Sequence, residues 1–282
     1  MGTGEEPRPL LRIGHKGADA VVPGNTIASF ERAVEIGVDV VELDVLRPRS
    51  DFPGGADWRD AEAGPADAGA DPLLVAHDWA AAERGDPLTL AEALDAFARP
   101  PLDRVGLDLD LKIAGREDEV IAALRERELT GRAMISTMEI ASSRRVRELA
   151  PGLRAGWTFP RATRAWDRKR WARPVLIAAV AAMRRRLPSL AARRLPELGV
   201  HAMWVYHPLV TERLARACGA AGVELYAWTV DDLARMRELV AIGVDGIVTN
   251  DPRLFVELGA PTRATRSAER LGSAPRTPGP PP

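Results

Sequence analysis

The sequence predicts an α/β fold, a (β/α)8 barrel of the TIM type, because apolar strand-like runs alternate with helical segments along most of the chain. Eight such units can be counted, which is the number that closes this kind of barrel. Charged residues also cluster at the ends of the predicted strands, where barrel enzymes place their chemistry. Two departures are predicted: an acidic insertion after the second strand and a basic helical excursion before the sixth.

The predicted strands are short apolar runs, and the predicted helices carry apolar residues at helical spacing. The strands cover residues 10–14, 38–46, 105–112, 133–137, 153–159, 202–206, 224–230 and 245–249. The helices cover residues 27–36, 117–127, 142–149, 211–221 and 232–242, and Asn25-Thr26 supplies a cap for the first. A further run at 73–76 is assigned to a hairpin or excursion after the second strand, because the stretch before it is too polar to hold a crossover helix.

The chain is long enough for one large domain, with 282 residues of which 46% are hydrophobic. We assign this domain to residues 10–257, with insertions at about 47–71 and 161–196. Residues 258–282 are rich in proline and arginine and are predicted to be disordered. The first insertion is interpreted either as a solvated loop or as a lid that selects the substrate, since it lies between Asp44 and His77.

The charge balance limits the partners of this protein. The 39 basic and 40 acidic residues give a formal net charge of -1, so no nucleic-acid partner is predicted. Residues 161–194 differ from this average, because they hold eleven basic residues against one acidic residue, together with Trp166 and Trp171. This segment is interpreted either as a solvated helical excursion or as a weak contact with an anionic membrane.

Cysteine content and hydropathy predict the compartment. Cys218 is the only cysteine, which fits a reducing environment. The chain begins with a polar stretch, and its longest apolar run, at 174–183, is about half of the roughly 20 residues that a membrane helix needs. We therefore expect a cytoplasmic protein, or one that is peripheral to a membrane if 161–194 binds lipid. The sequence leaves the oligomeric state open.

A pair of carboxylates in the second predicted strand points to a functional site. Side chains of a strand alternate between its two faces, so Glu42 and Asp44 share one face while Val41, Leu43 and Val45 share the other. Two carboxylates held together in a partly buried place require a cation, a bound metal or a raised pKa.

Two histidines and a second charged pair stand beside these carboxylates. His15 and His77 follow predicted strands and are candidates for proton transfer near neutral pH, although the sequence does not assign acid and base. Asp110 and Lys112 share one strand face and form either a cross-barrel ion pair or part of a phosphate site. Asp108 lies on the same face, either in support of the site or as ordinary barrel polarity.

A series of short motifs follows the predicted strands in order. They are His15-Lys16-Gly17, Pro23-Gly24-Asn25-Thr26, Glu42-Leu43-Asp44-Val45, His77-Asp78, Asp110-Leu111-Lys112, Trp228-Thr229-Val230-Asp231 and Gly243-Val244-Asp245-Gly246-Ile247-Val248-Thr249-Asn250. In this order they resemble the glycerophosphodiester phosphodiesterase family over most of residues 10–257. Each motif alone would be a weak signal, and the ordered series at strand ends is a strong one.

The resemblance implies a TIM barrel that hydrolyses a small-molecule glycerophosphodiester to glycerol 3-phosphate and an alcohol, with one divalent cation. It implies that the metal ligands are Glu42, Asp44 and Asp110, that His15 and His77 transfer protons, and that Lys16 and Lys112 contact the phosphate. Carboxylate ligands without cysteine suit Mg²⁺ or Ca²⁺ better than zinc. Trp228 ends a strand and is interpreted either as a wall beside the substrate or as core packing.

Three positions depart from the family pattern and keep other functions open. Lys16 stands where the family usually has arginine, Gly24 where it usually has glutamate, and Asp110 where it usually has glutamate. One alternative is a phospholipase D-type enzyme that acts on lysophospholipids at the membrane surface. The other is a phosphodiester-binding protein with weak catalysis.

Overall fold

The computed structural model describes residues 9–52, 71–161 and 173–259. Nine strands form one sheet in the order β1-β9-β8-β7-β6-β5-β4-β2-β3, and β1 also pairs with β2, so that eight parallel strands close into a barrel. The strands are β1 (Leu11–Gly14), β2 (Val40–Leu46), β3 (Leu74–Val75), β4 (Gly106–Leu111), β5 (Ala133–Thr137), β6 (Arg154–Phe159), β7 (Ala202–Tyr206), β8 (Glu224–Trp228) and β9 (Gly246–Thr249). The predicted (β/α)8 TIM barrel is confirmed.

Helices cover the outside of the barrel. They are α1 (Ile27–Ile36), α2 (Trp79–Arg84), α3 (Leu90–Phe97), α4 (Glu117–Glu126), α5 (Ile140–Leu149), α6 (Arg173–Leu198), α7 (Glu212–Ala220), α8 (Leu233–Ile242) and α9 (Arg253–Glu257). Thr26 caps α1 by accepting a hydrogen bond from the Ser29 N–H at 3.2 Å. Gly37 ends the same helix in the left-handed conformation, at φ 104°, which returns the chain towards β2.

The stretch between β2 and β4 differs from the sequence prediction in its helices. The run at 73–76 does form a hairpin strand, since β3 pairs antiparallel with β2. No helix is predicted after it, whereas the structure has α2 and then α3, which begins with a capping box between Thr89 and Glu92. The crossover helix of this unit therefore follows the excursion instead of replacing it.

Both ends of the acidic insertion are held by buried arginines. Arg47 Nε donates to Asp51 Oδ2 at 3.0 Å, and Arg116 Nη1 donates to Asp51 Oδ2 at 3.3 Å and to the Asp71 carbonyl at 3.0 Å. These contacts join the insertion to the start of α4, beside the carboxyl ends of β2 and β4. Residues 53–70 themselves lie outside the described part, so the choice between loop and lid stays open.

The barrel interior is filled on one side by a large aromatic residue. Trp204 lies in the interior cluster, and its ring meets the ring of Tyr226 edge to face at a centroid distance of 4.8 Å. A Cβ atom on Gly156 of β6 would lie 1.7 Å from Cζ3 of Trp204, so only glycine leaves room for the indole there. Trp204 therefore lies across β6, inside the barrel.

The basic excursion is partly a barrel helix. α6 has 26 residues, and Leu187, Ala191, Leu195 and Leu198 are buried against the barrel at helical spacing. The predicted insertion, 161–196, is thus too wide, because these apolar positions belong to the crossover between β6 and β7. Residues 162–172 lie outside the described part.

The end of the domain also extends slightly beyond the prediction. Leu258, assigned to the disordered tail, packs against the outer core next to α9. The rest of that tail, from residue 260, falls outside the described residues. Within the ranges that the structure covers, no helix is long and apolar enough to cross a membrane.

Candidate active site

Three carboxylates meet at the carboxyl ends of two neighbouring strands. Glu42 and Asp44 lie on β2 and Asp110 on β4, where Asp44 and Asp110 are register partners. One oxygen from each lies within 4.8 Å of the other two. All three are buried, with exposed fractions of 5%, 0% and 8%. The structure therefore brings together the three residues that the sequence proposed as metal ligands, and this triad could hold a metal ion.

The loop between β1 and α1 holds two of these carboxylates. The backbone N–H of Lys16 donates to Glu42 Oε2 at 2.8 Å. Asn25 Nδ2 donates to Asp44 Oδ2 at 2.8 Å, and the Asp44 N–H donates to Asn25 Oδ1 at 3.2 Å. Asn25 was considered only as a helix cap, so its contact with Asp44 was missed, and its place in the Pro-Gly-Asn-Thr motif was the available signal.

Lys112 supplies the positive charge within the triad. Its ammonium group contacts both Asp44 and Asp110. Burial, followed by the charge of Asp44, raises the pKa of Glu42 well above its ordinary value. Burial would also raise the pKa of Asp44, but Lys112 and the two histidines hold it below its ordinary value. One ammonium is thus shared among three carboxylates.

The triad fits a hard divalent cation. Asp110 Oδ1 is buried and has no hydrogen-bond partner among the described residues, although such atoms are normally satisfied. Oxygen donors from carboxylates are the ligands that Mg²⁺ and Ca²⁺ prefer. The free oxygen and the excess of negative charge are both consistent with a cation at this point.

His15, at the end of β1, is held in one tautomer. Its Nδ1 lies 2.6 Å from Asn250 Oδ1. The amide of Asn250 is oriented by Asp231, which accepts from Asn250 Nδ2 at 2.6 Å and from the Asn250 N–H at 2.8 Å. Oδ1 must then accept a hydrogen bond from the protonated Nδ1 of His15, which leaves the lone pair on Nε2. Burial lowers the pKa of His15 below 6.5, so the neutral ring is favoured.

The residues that orient His15 were not predicted. Asn250 and Asp231 were named only as parts of motifs and were given no functional role of their own. Their order in the chain offered no clue to the contact, since His15 and Asn250 are 235 positions apart. Closure of the barrel between β1 and β9 places them side by side.

His77 follows β3, which pairs with the carboxyl-terminal end of β2. Its Nδ1 lies 3.2 Å from Asp78 Oδ2, and its side chain is 49% exposed. Asp78 also caps α2, because its Oδ1 accepts from the Ala81 N–H at 2.8 Å. A helix terminus therefore fixes the carboxylate that orients His77, and the imidazole is more open to solvent than that of His15.

Both histidines open into one cavity of about 160 Å³ in the barrel mouth. On the side of β1 to β5 it is lined by His15, Glu42, His77, Asp108, Asp110, Lys112, Ser136 and Met138. On the other side it is lined by Thr158, Trp204, Trp228, Thr229 and Val248. The predicted catalytic and substrate residues thus share this cavity, apart from Lys16. Asp108 is fully buried at its base, and burial raises its pKa.

The far wall of the cavity carries polar atoms without partners. Thr158 Oγ1, Trp204 Nε1 and Trp228 Nε1 are buried and form no hydrogen bond in the part of the chain described. Thr158 and Trp204 were missed by the sequence analysis, because a lone threonine and a tryptophan within apolar strands give no functional signal. Groups of this kind normally find a partner in protein, water or ligand.

Lys16 is placed differently from the other predicted residues. Its Nζ lies 2.6 Å from Asp19 Oδ2, and its side chain does not line the cavity. Asp19 Oδ1 also accepts from the Gly24 N–H at 2.8 Å, and a Cβ on Gly24 would lie 2.5 Å from that oxygen. Asp19 thus fills the space beside Gly24, and the phosphate contact of Lys16 stays a prediction.

The carboxyl end of this closed parallel barrel holds an acidic triad, a lysine and two oriented histidines. This arrangement defines the class of TIM-barrel hydrolases with an acidic centre. The chain belongs to the glycerophosphoryl diester phosphodiesterase family, whose model matches residues 15–52 and 102–254. It is therefore a phosphoric diester hydrolase, and the predicted family is confirmed.

Relatives and solved structures agree with this assignment. The chain is 28% identical to a glycerophosphodiester phosphodiesterase of Caldanaerobacter subterraneus subsp. tengcongensis, over 88% of this chain and 97% of the relative. It is 26% identical to a probable glycerophosphodiester phosphodiesterase 2 of Mycobacterium tuberculosis, over 85% and 87% of the two chains.

Among solved structures, a putative glycerophosphoryl diester phosphodiesterase from Silicibacter pomeroyi aligns with a TM-score of 0.63 and 22% identity, over 90% of this chain and 95% of that one. An Oleispira antarctica phosphodiesterase in complex with the product sn-glycerol-3-phosphate aligns with a TM-score of 0.58 and 18% identity, over 89% and 96%. At these identities the two structures support the fold.

Proposed function

We propose that this enzyme hydrolyses glycerophosphodiesters to glycerol 3-phosphate and an alcohol, with the help of one divalent cation. The observation that carries the proposal is the cavity lined by Glu42, Asp110, Lys112 and both histidines, next to the buried Asp44 that completes the triad. The names of the relatives support the reaction, and one structure of the same fold binds the product sn-glycerol-3-phosphate.

Glu42, Asp44 and Asp110 would hold the cation, and Mg²⁺ or Ca²⁺ suits their oxygen ligands. When bound, such an ion neutralises charge on the non-bridging oxygens of the phosphodiester. Lys112 lies beside two of the three carboxylates and brings a second positive charge to the phosphoryl group. The substrate phosphate would then lie in the cavity beside Lys112 and the triad.

The two histidines are suited to different proton transfers. His15 is neutral and offers its Nε2 lone pair, so it accepts the proton of the attacking hydroxyl or water. His77 is paired with Asp78 and is half-exposed at the mouth, where a leaving alcohol of variable size would meet solvent. We assign to His77 the proton that the leaving oxygen receives.

The far wall of the cavity is suited to the glycerol group. The hydroxyl of Thr158 and the indole N–H groups of Trp204 and Trp228 need partners, and the hydroxyls of glycerol can supply them. The aromatic rings also give the carbon skeleton an apolar surface. Substrate would then lie across the mouth, with its phosphate near β2 and β4 and its glycerol near β6 to β8.

The experiment follows products by mass from glycerophosphocholine and lysophosphatidylcholine, after EDTA treatment and after return of Mg²⁺, Ca²⁺ or Mn²⁺. We expect metal-dependent release of glycerol 3-phosphate, and a loss of about 10²- to 10⁴-fold in His15→Ala. His201→Ala is the matched control, because His201 precedes β7 at the opposite end of the barrel. Release of lysophosphatidic acid alone, or turnover that EDTA leaves unchanged, would contradict the proposal.

A further inference from the structure

Helix α6 is much longer than its neighbours in the barrel. It has 26 residues, about 39 Å at the α-helical rise, whereas α7 and α8 have 9 and 10. Because β6 and β7 are parallel neighbours, α6 runs antiparallel to both, and its first residues lie at the catalytic end. Residues 187–198 cover the barrel, so the preceding half of α6, about 20 Å of helix, lies towards the catalytic end, where Val180 and Met183 still pack against the core.

This first half of α6 exposes apolar side chains. Ile177 is 70% exposed, and the residues around it are the exposed Ala178, Ala179, Ala181 and Ala182 and the half-buried Val180 and Met183. Val180 and Met183 pack against the core outside the barrel, whereas Ile177 and the four alanines face away from it. Consecutive exposed positions cover most of the helix circumference instead of one stripe. Ile177 stands out, because few large apolar residues of the described chain are so exposed.

Three consecutive arginines follow directly. Arg184, Arg185 and Arg186 are exposed, and none of them forms an ion pair within the described ranges. Several other surface arginines are paired along their helices, as Arg194 is with Glu197 at 3.7 Å and Arg235 with Glu238 at 2.7 Å, and the described ones that are not paired stand singly. The end of the apolar half-helix is thus a concentration of positive charge that has no ion-pair partner among the residues that the structure describes.

We propose that residues 177–186 of α6, the docking segment, bind the surface of a membrane that contains anionic lipid. Apolar residues next to unpaired arginines are the composition of helices that lie in the membrane interface, and the arginines match the charge of lipid phosphates. The side of the docking segment that faces away from the core holds Ile177 and four alanines and ends at the three arginines, so it can lie along the bilayer with the arginines at the level of the lipid phosphates. This inference is independent of the reaction, and it places the barrel mouth next to the bilayer.

The first test compares two triple variants in co-sedimentation with vesicles of phosphatidylcholine alone or with phosphatidylglycerol. Arg184→Gln/Arg185→Gln/Arg186→Gln removes the charge of the docking segment. The control, Arg144→Gln/Arg213→Gln/Arg237→Gln, removes the same charge from exposed, unpaired positions on α5, α7 and α8. We expect binding only to the anionic vesicles, weakened by salt, about 10²-fold weaker in the first variant and little changed in the control.

The second test reports where the helix lies. Ile177→Cys and Val256→Cys each place a thiol at a 70% exposed position, while the native Cys218 is buried and will not compete for label. An environment-sensitive dye at 177 should shift to the blue with anionic vesicles, and the same dye at 256, on α9, should not. This readout needs no loss of function, so it remains informative if the triple variant folds poorly.

Three outcomes of these two tests would overturn the proposal. They are no binding to anionic vesicles by the wild-type chain, equal weakening in both triple variants, and a dye response that is the same at 177 and 256. Binding to soluble polyglutamate as tight as binding to vesicles would also overturn it, in favour of an acidic protein partner. Thermal unfolding of each variant, compared with wild type, verifies that the folded protein is what is measured.

Discussion

Asn250 accepts a hydrogen bond from Nδ1 of His15 at 2.6 Å and so decides which ring nitrogen carries the proton. The contact joins the end of β9 to the end of β1, where the barrel closes. Because Asp231 fixes the amide of Asn250, the arrangement is a three-residue chain that leads from the surface to the cavity. Its purpose would be to present the Nε2 lone pair of His15 to substrate.

Asn250→Ala should therefore lower kcat by about 10- to 100-fold and change KM little, since a base that is free to rotate loses part of its contribution. Steady-state kinetics on glycerophosphocholine measures both constants. A variant that raised KM and left kcat intact would show that Asn250 binds substrate instead of orienting His15.

On the acid side of the pH profile of activity, the loss of activity should reflect protonation of His15. Burial lowers the pKa of this imidazole below 6.5, and the proposed base works in its neutral form. Activity should then persist below pH 6.5 and fall only when pH passes the lowered pKa. The logarithm of kcat/KM plotted against pH tests this, and a loss of activity already above pH 6.5 would contradict it.

Binding of the cation should release protons. The pKa of Glu42 is raised well above its ordinary value, chiefly by burial and then by Asp44, so part of the population is protonated until a cation displaces the proton. The affinity for Mg²⁺ or Ca²⁺ should thus increase with pH. Calorimetric titration in two buffers of different ionisation enthalpy counts the protons, and identical heats in both buffers would refute the prediction.

The polar residues of the far cavity wall should determine the preference for substrates that carry the 2-hydroxyl of glycerol. Thr158→Val and Trp204→Phe remove unpartnered polar atoms and keep most of the packing volume. Each should reduce the preference for glycerophosphocholine over its analogue without the 2-hydroxyl by about 3- to 10-fold in kcat/KM. Trp157→Phe is the control, because Trp157 lies on the other face of β6, in the outer core. Equal changes in all three variants would rule out a specific contact.

Gly156→Ala should destabilise the fold. The added Cβ would lie 1.7 Å from Cζ3 of Trp204, and overpacking of this kind costs about 1–3 kcal/mol of the free energy of unfolding. Gly152→Ala is the control, since a Cβ there meets nothing within 4 Å. Urea denaturation measures both, and Trp204→Leu in the Gly156→Ala background should recover part of the loss. Additive effects of the two substitutions would argue against the clash.

The sequence predicted what depends on local periodicity. Alternation along β2 placed Glu42 and Asp44 on one face, and the eight apolar runs gave the barrel. Contacts that depend on closure of the barrel, such as the one between His15 and Asn250, could not be predicted. No local sequence pattern shows which strand ends become neighbours. The unpaired atoms of Thr158 and Trp204 were also out of reach, since a missing partner can be recognised only when all neighbours are placed.

The first and last residues of a helix were hardest to predict where one segment serves two purposes. α6 joins the barrel crossover and the docking segment in one continuous helix, and its arginines hid the buried positions of its second half. Similarly, α3 follows a polar stretch that suggested a unit without a crossover helix. In both places the prediction followed the average composition of the segment, although the spacing of a few apolar residues indicated a helix.

The close approach of Trp204 to Gly156 also limits how this barrel can change over evolutionary time. A side chain at 156 is tolerated only after the indole at 204 has been replaced by something smaller, so the two positions should covary among homologous chains. The order of the two substitutions matters, since the reverse order passes through a destabilised intermediate. A change in the wall of the active-site cavity is thus accessible to natural selection along one of two mutational paths.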